Sequence, residues 1–219
     1  MASGNCIVNV GVGHWYPEGS KRLEKSLRDN GYNDALLFFD KLPEGSPTHE
    51  ENPYAFKVYA ILHAIYAGYK NIAWIDSSIY CVRDPYSLFI KIDEQGYYFV
   101  ENGYYAGQET NDNCLNYFKV SRDEAMKIQQ ISSGFFGIDI TKNKYIINLW
   151  NDAMAAGAFK GKREDNKEES QDPRFLHHRQ DQSALSLVIT RANPIIDKLG
   201  NLFDYKISGK DCNFLSQGM

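Results

Sequence analysis

Residues 53–78 read PYAFKVYAILHAIYAGYKNIAWIDSS, and this stretch decides the fold. Pro53 sits where a first-turn proline belongs and Gly68 where a helix stops. Between and just beyond them, Val58, Ile61, Leu62, Ile65 and Tyr69 recur at three- and four-residue spacing, which is one apolar face of a helix. Asn71 to Asp76 is then a near-continuous apolar run ending in a carboxylate, the pattern of an inner parallel strand buried on both sides.

Working outward, the same alternation continues in both directions. Residues 6–12 read as a buried strand ending near glycine, residues 18–30 as a helix stopped by Gly31, and residues 35–39 as a second short strand. Residues 40–52, with Pro43, Gly45 and Pro47, read as a loop. Downstream, Asp84-Pro85 opens a short helix and residues 97–101 form a strand. Ser121 with Glu124 makes a capping box for a helix over 121–130. Residues 135–140 form a strand, and residues 145–158 a helix with Ile146, Leu149, Trp150 and Met154 on one face. The last helix spans 181–192, with Leu185, Val188 and Ile189 inward. Strands alternating with helices, without an internal repeat or a dividing linker, imply one α/β domain over residues 1–219. Its core covers about 6–192, a central, mostly parallel mixed sheet flanked by helices, and 193–219 form a Gly/Asn-containing tail.

Composition narrows the function classes. The 219 residues carry a net charge of −4, which argues against a nucleic-acid partner, since a phosphate-backbone binder shows a basic excess. The most apolar stretch, Ala55 to Ile75, is interrupted by Lys57, His63, Lys70 and Asn71, so no membrane span is expected. The start has neither a positive n-region nor an apolar h-region, and a cytoplasmic location is expected. Cys6, Cys81, Cys114 and Cys212 are scattered without a C-x-x-C and are read as reduced thiols. With 15 Tyr, 12 Phe and 3 Trp the chain is rich in aromatics; Tyr suits either a half-buried core or stacking on bases and sugar rings. Residues 159–172 are charge-dense and poor in apolar side chains, a solvated loop or a mobile lid.

The chemistry centres on the end of the 71–76 strand. In open α/β sheets ligands sit beyond the carboxyl ends of the strands. Asp76 and Ser78, two apart in an extended segment, address one object, and a carboxylate with a hydroxyl suits Mg²⁺ or Mn²⁺ bridging a diphosphate. The alternative is that Asp76 caps the following turn. Lys57 either snorkels to the surface or neutralises Asp76 or a phosphate. Gly11-Val12-Gly13 opens like a dinucleotide fingerprint, but position 16 is Tyr, and no P-loop, nucleophile elbow or H-E-x-x-H is present.

A lysine-bearing helix followed by a strand ending Trp74-Ile75-Asp76-Ser77-Ser78, then Asp84-Pro85, resembles the nucleotide-sugar glycosyltransferases of the GT-A fold. Within that family the pattern is similar to domains that build viral capsid glycans. The resemblance implies that Asp76, Ser77 and Ser78 stand where an Asp-X-Asp motif holds a divalent cation and the donor diphosphate. It implies that Val12, Gly13, His14 and Tyr16 form the nucleotide-holding turn, and that Ser133 and Gly134 line the donor-sugar pocket. It places Asp181 and Gln182 near the anomeric carbon, and one of His177 or His178 as a further metal ligand. Ser78 departs from the motif, so the cation loses a carboxylate. The implied activity is transfer from a UDP-sugar, with Mn²⁺ or Mg²⁺, to a glycan or protein-linked acceptor; the Asp-Gln pair looks more like the retaining group. A sugar-nucleotide nucleotidyltransferase and a non-catalytic glycan- or nucleotide-binding module are the alternatives.

Overall fold

The computed structural model describes residues 4–162, 166–205 and 212–217. A five-stranded sheet is built from β1 (Asn5–Val10), β2 (Ala35–Phe39), β3 (Asn71–Ile75), β5 (Tyr97–Tyr105) and β6 (Gln129–Asp139), in the order β2-β1-β3-β6-β5. β1 pairs in parallel with β2 and β3, whereas β6 runs antiparallel to both of its neighbours. The sheet is therefore mixed, as expected, with β6 as the one reversed strand.

Each strand divides its side chains between two cores, as the period of two requires. On one face Cys6, Val8, Ile72, Trp74 and Phe136 pack against α2 (Ala55–Tyr66), α6 (Ile140–Ala155) and α8 (Asp181–Ile189). On the other Ile7, Ala73, Ile75 and Phe135 pack against α1 (Tyr16–Asp29) and α3 (Tyr86–Gln95). All four cysteines are buried, and burial pushes the Cys6 and Cys81 thiols up to about 12. Among the described residues no helix is long and apolar enough to cross a membrane.

Several boundaries differ from the sequence reading. α2 starts at Ala55, because Tyr54 takes a left-handed conformation (φ 59°) and holds Pro53 outside the helix. The Ser121–Glu124 capping box is present, but its helix, α5 (Arg122–Ala125), is a single turn preceded by α4 (Asp112–Phe118). The chain turns into β6 by Gln129, where pairing with Tyr105 outweighs local helix preference. The tail is part of the domain. β7 (Phe203–Asp204) and β8 (Phe214–Ser216) join β4 (Ile79–Cys81) in a second sheet, order β4-β8-β7. Phe203 and Phe214 lie 4.9 and 4.8 Å, ring centre to ring centre, from Phe135 of the main sheet.

Part of the 159–172 segment, residues 163–165, lies outside the described residues. Its described flanks are tied down. Phe159 is fully buried beside Trp150, and after a single turn, α7 (Asn166–Glu169), Ser170 Oγ donates to Asp112 at 2.8 Å.

Candidate active site

A cavity of about 670 Å³ opens at the carboxyl ends of β1 and β3, where an open α/β sheet places ligands. Its floor depends on how two strands part. The last backbone pair of β1 and β3 is Val8 with Trp74. Beyond it, buried Asn9 bridges the strands with its side chain, donating to the Ile75 carbonyl at 2.7 Å and to Ser77 Oγ at 3.1 Å. Ser77 lines the cavity, but this clamp occupies its hydroxyl. The turn after β1 has Gly13 (φ 77°) and His14 (φ 41°) in the left-handed region, which swings Val12, His14 and Tyr16 into the lining. Gly13 supplies the turn and is not itself part of the lining.

The centre of the cavity is a charge triad. Lys57, the third residue of α2, is 3% exposed. Its ammonium lies 3.2 Å from Asp76 Oδ1 and 3.2 Å from Asp181 Oδ2, and donates to the Ser133 carbonyl at 3.2 Å. The rings of Tyr54 and Trp74 lie within 5.1 and 5.4 Å of it. Burial alone would push this lysine down, but the Asp181 and Asp76 carboxylates outweigh it and hold Lys57 above its ordinary value. Of the two readings of Lys57, the snorkelling one is excluded. The two carboxylates differ: Asp181 is buried and Asp76 is one-third exposed.

Asp76 has one committed oxygen and one clear one. Oδ1 accepts from Trp74 Nε1 at 2.7 Å and faces Lys57. Oδ2 looks across Gly134, where a Cβ would stand 2.8 Å from it, so glycine alone leaves that side open. The Asp76 N–H donates to the Gly134 carbonyl at 2.8 Å, which fixes the pair in register. Ser78 is half-buried in the same lining. This donor set fits a divalent cation that arrives with a diphosphate and keeps several waters. It does not make a cage from protein alone: among the described residues no group of three His, Cys, Asp or Glu side chains comes together for a metal.

The two histidines are placed elsewhere. Neither lines the cavity, which corrects the expectation that one of them ligates beside Asp76. His178 is fully buried, its Nδ1 accepts from the Asn111 N–H at 3.3 Å, and burial lowers it to about 3. His177 Nε2 lies 3.1 Å from the buried carboxylate of Glu109. Glu109 in turn accepts from Gln182 Nε2 at 3.2 Å, while Gln182 Oε1 accepts from the Ser133 N–H at 3.2 Å. Gln182 thus lines the cavity as a strut between Glu109 and β6 rather than as a free amide.

Other lining residues escaped the sequence reading. Arg179 stands in the lining with no guanidinium hydrogen bond among the described residues; its position two residues before Asp181 was the available signal. Gln180, at φ 51°, turns the chain into α8 and donates to the Gly161 carbonyl at 3.0 Å. Tyr205 enters from the tail, held above the ordinary tyrosine value by burial. His49 and Tyr54 enter from the 40–54 stretch, which carries no periodic signal. No protein-family model matches the chain, and no curated protein matches it.

Proposed function

We propose that this protein is a divalent-cation-dependent glycosyltransferase that moves a sugar from a nucleoside-diphosphate sugar, UDP-linked, to a glycan or protein-linked hydroxyl, with retention at the anomeric carbon. The observation that carries the reading is Asp76. It leaves a buried strand at the mouth of the cavity with one oxygen pinned by Lys57 and Trp74 and the other kept clear by Gly134.

Asp76 Oδ2 and the Ser78 hydroxyl would hold Mn²⁺ or Mg²⁺ with the donor phosphates. A cation bound there would supply positive charge beside a departing diphosphate. The protein's own residues do the rest. Lys57 and Arg179 add fixed positive charge around the leaving group, and Lys57 pairs with both aspartates. Asp181, held against Lys57, presents a carboxylate near the anomeric carbon. The turn at Val12–Tyr16 takes the base. The same turn lacks the basic, glycine-rich loop of a nucleotidyltransferase. Ser78 in place of a second carboxylate favours one further reading, a nucleotide- or glycan-binding module without turnover.

The test is calorimetry with UDP, with and without Mn²⁺, on the native chain and on Asp76→Asn. Affinity should rest on the metal and fall by about tenfold or more in the variant, at least ~1.4 kcal/mol. Unchanged Mn²⁺-dependent binding in Asp76→Asn would sink the assignment. Donor hydrolysis by the native chain then separates a transferase from a binding module.

A further inference from the structure

Resting on the transferase reading, we infer that the cavity wall formed by His49 and Tyr54 is the acceptor subsite and that it takes a saccharide ring. Three ring contacts run along this wall in sequence. His49 meets Tyr54 edge-on at 4.7 Å, Tyr54 lies 6.0 Å from Phe56, and Phe56 lies 6.3 Å from Trp74. The ladder ends in chemistry, because Trp74 Nε1 donates to Asp76 at 2.7 Å and the Tyr54 ring covers the Lys57 ammonium.

The outer rings are not core. His49 is exposed, Tyr54 and Phe56 are half-buried, and all three line the cavity. Tyr54 is held there by a left-handed backbone that an aromatic residue rarely adopts, and its N–H donates to His49 Nδ1 at 3.4 Å. A pyranose ring has an apolar C–H face, which suits the electron-rich face of an aromatic ring, and a rim of hydroxyls, which suits carboxylates and imidazole nitrogen. This wall offers both within one cavity. A serine or threonine side chain has no ring face to lay on it. The uracil and diphosphate are already assigned to the β1 turn and the Asp76–Ser78 segment, so the aromatic wall remains for the acceptor.

Saturation-transfer NMR with methyl glycosides of the common hexoses, deoxyhexoses and pentoses at millimolar concentration, followed by calorimetry on those that bind, tests the proposal. His49→Ala removes the outer ring. Tyr54→Asn removes the second while keeping a residue that tolerates the left-handed backbone. Thermal melts confirm that each variant is folded, and UDP affinity with Mn²⁺ is measured in parallel. At least one glycoside should bind the native chain and lose about tenfold or more in each variant, with UDP affinity within about twofold in His49→Ala, since the His49 ring does not cover Lys57. Three results would overturn the proposal: no glycoside binds the native chain, glycoside binding survives both substitutions, or His49→Ala weakens UDP instead. If glycosides bind through the wall but UDP does not bind at all, the subsite stands and the transferase reading falls.

Discussion

Around α2 and the first turn of α8 the charged groups of the cavity already have their counterparts. Lys57 lies between Asp76 and Asp181, Glu109 between His177 and Gln182, and the side chains are mostly out of water. At the approach to α8, just before its N-cap Gln180, Arg179 is half-buried with an uncommitted guanidinium among the described residues. The difference is one of preorganisation. The first wall holds its field before any ligand arrives, which is the condition under which electrostatics acts most strongly on a reacting centre. The second presents a guanidinium whose interactions are completed by whatever enters.

Removing the closed wall's charge should break this contrast most severely. Lys57→Met leaves a buried Asp181 without its partner, and urea unfolding should show a loss of about 3–5 kcal/mol. A loss below about 1 kcal/mol, the range of surface pairs, would mean that charge does not hold this wall. The sign with pH is fixed. Because Lys57 is held above its ordinary value, its contribution is complete below about pH 10.4 and disappears only as the pH climbs past the raised folded value.

A smaller effect comes from behind that wall. His178 falls from 6.5 to about 3 because it is buried, so the unfolded chain takes up a proton that the native chain refuses. Stability should therefore drop as the pH falls from about 6.5 toward about 3, by about 1.4 kcal/mol per unit. His178→Phe should flatten this component of the pH–stability curve; a native curve already flat over pH 4–6 would contradict it.

The smallest effect belongs to the open wall. Arg179→Ala should leave stability within about 0.5 kcal/mol while weakening UDP by about tenfold at low salt. Equal UDP affinity in the variant, measured by calorimetry at low ionic strength, would place the diphosphate elsewhere.

What the sequence reveals follows from the range of the forces involved. α2 and β3 are legible because local periodicity and burial on both sides write themselves into consecutive residues. β4, β7 and β8 run two or three residues each, too short for a period, and Phe203 and Phe214 find Phe135 only through the fold. Asp76 stands out by its place at a strand end. A lysine on an otherwise apolar helix just before that strand hints at the Lys57 pair, but the relation of both to Asp181 is not legible, since Asp181 lies on a distant element and nothing in spacing couples it to them. The paired histidines suggest metal chemistry as letters, yet neighbouring side chains diverge, and here one is buried and the other faces Glu109. Tyr54 and Gln180 bend the chain at positive φ without being glycine, so composition hides both turns.

Asn9 has a consequence for dimension. Two parallel strands normally keep a spacing of about 4.8 Å for as long as their backbones pair. Where β1 and β3 stop pairing, the Asn9 amide spans to Ile75 and Ser77, so the gap between the strand ends is gauged by the length of one side chain. The turn bearing His14 and the segment bearing Asp76 are thus set apart by a molecular spacer inside the floor. The aperture of the cavity is calibrated from beneath, at a residue outside its lining.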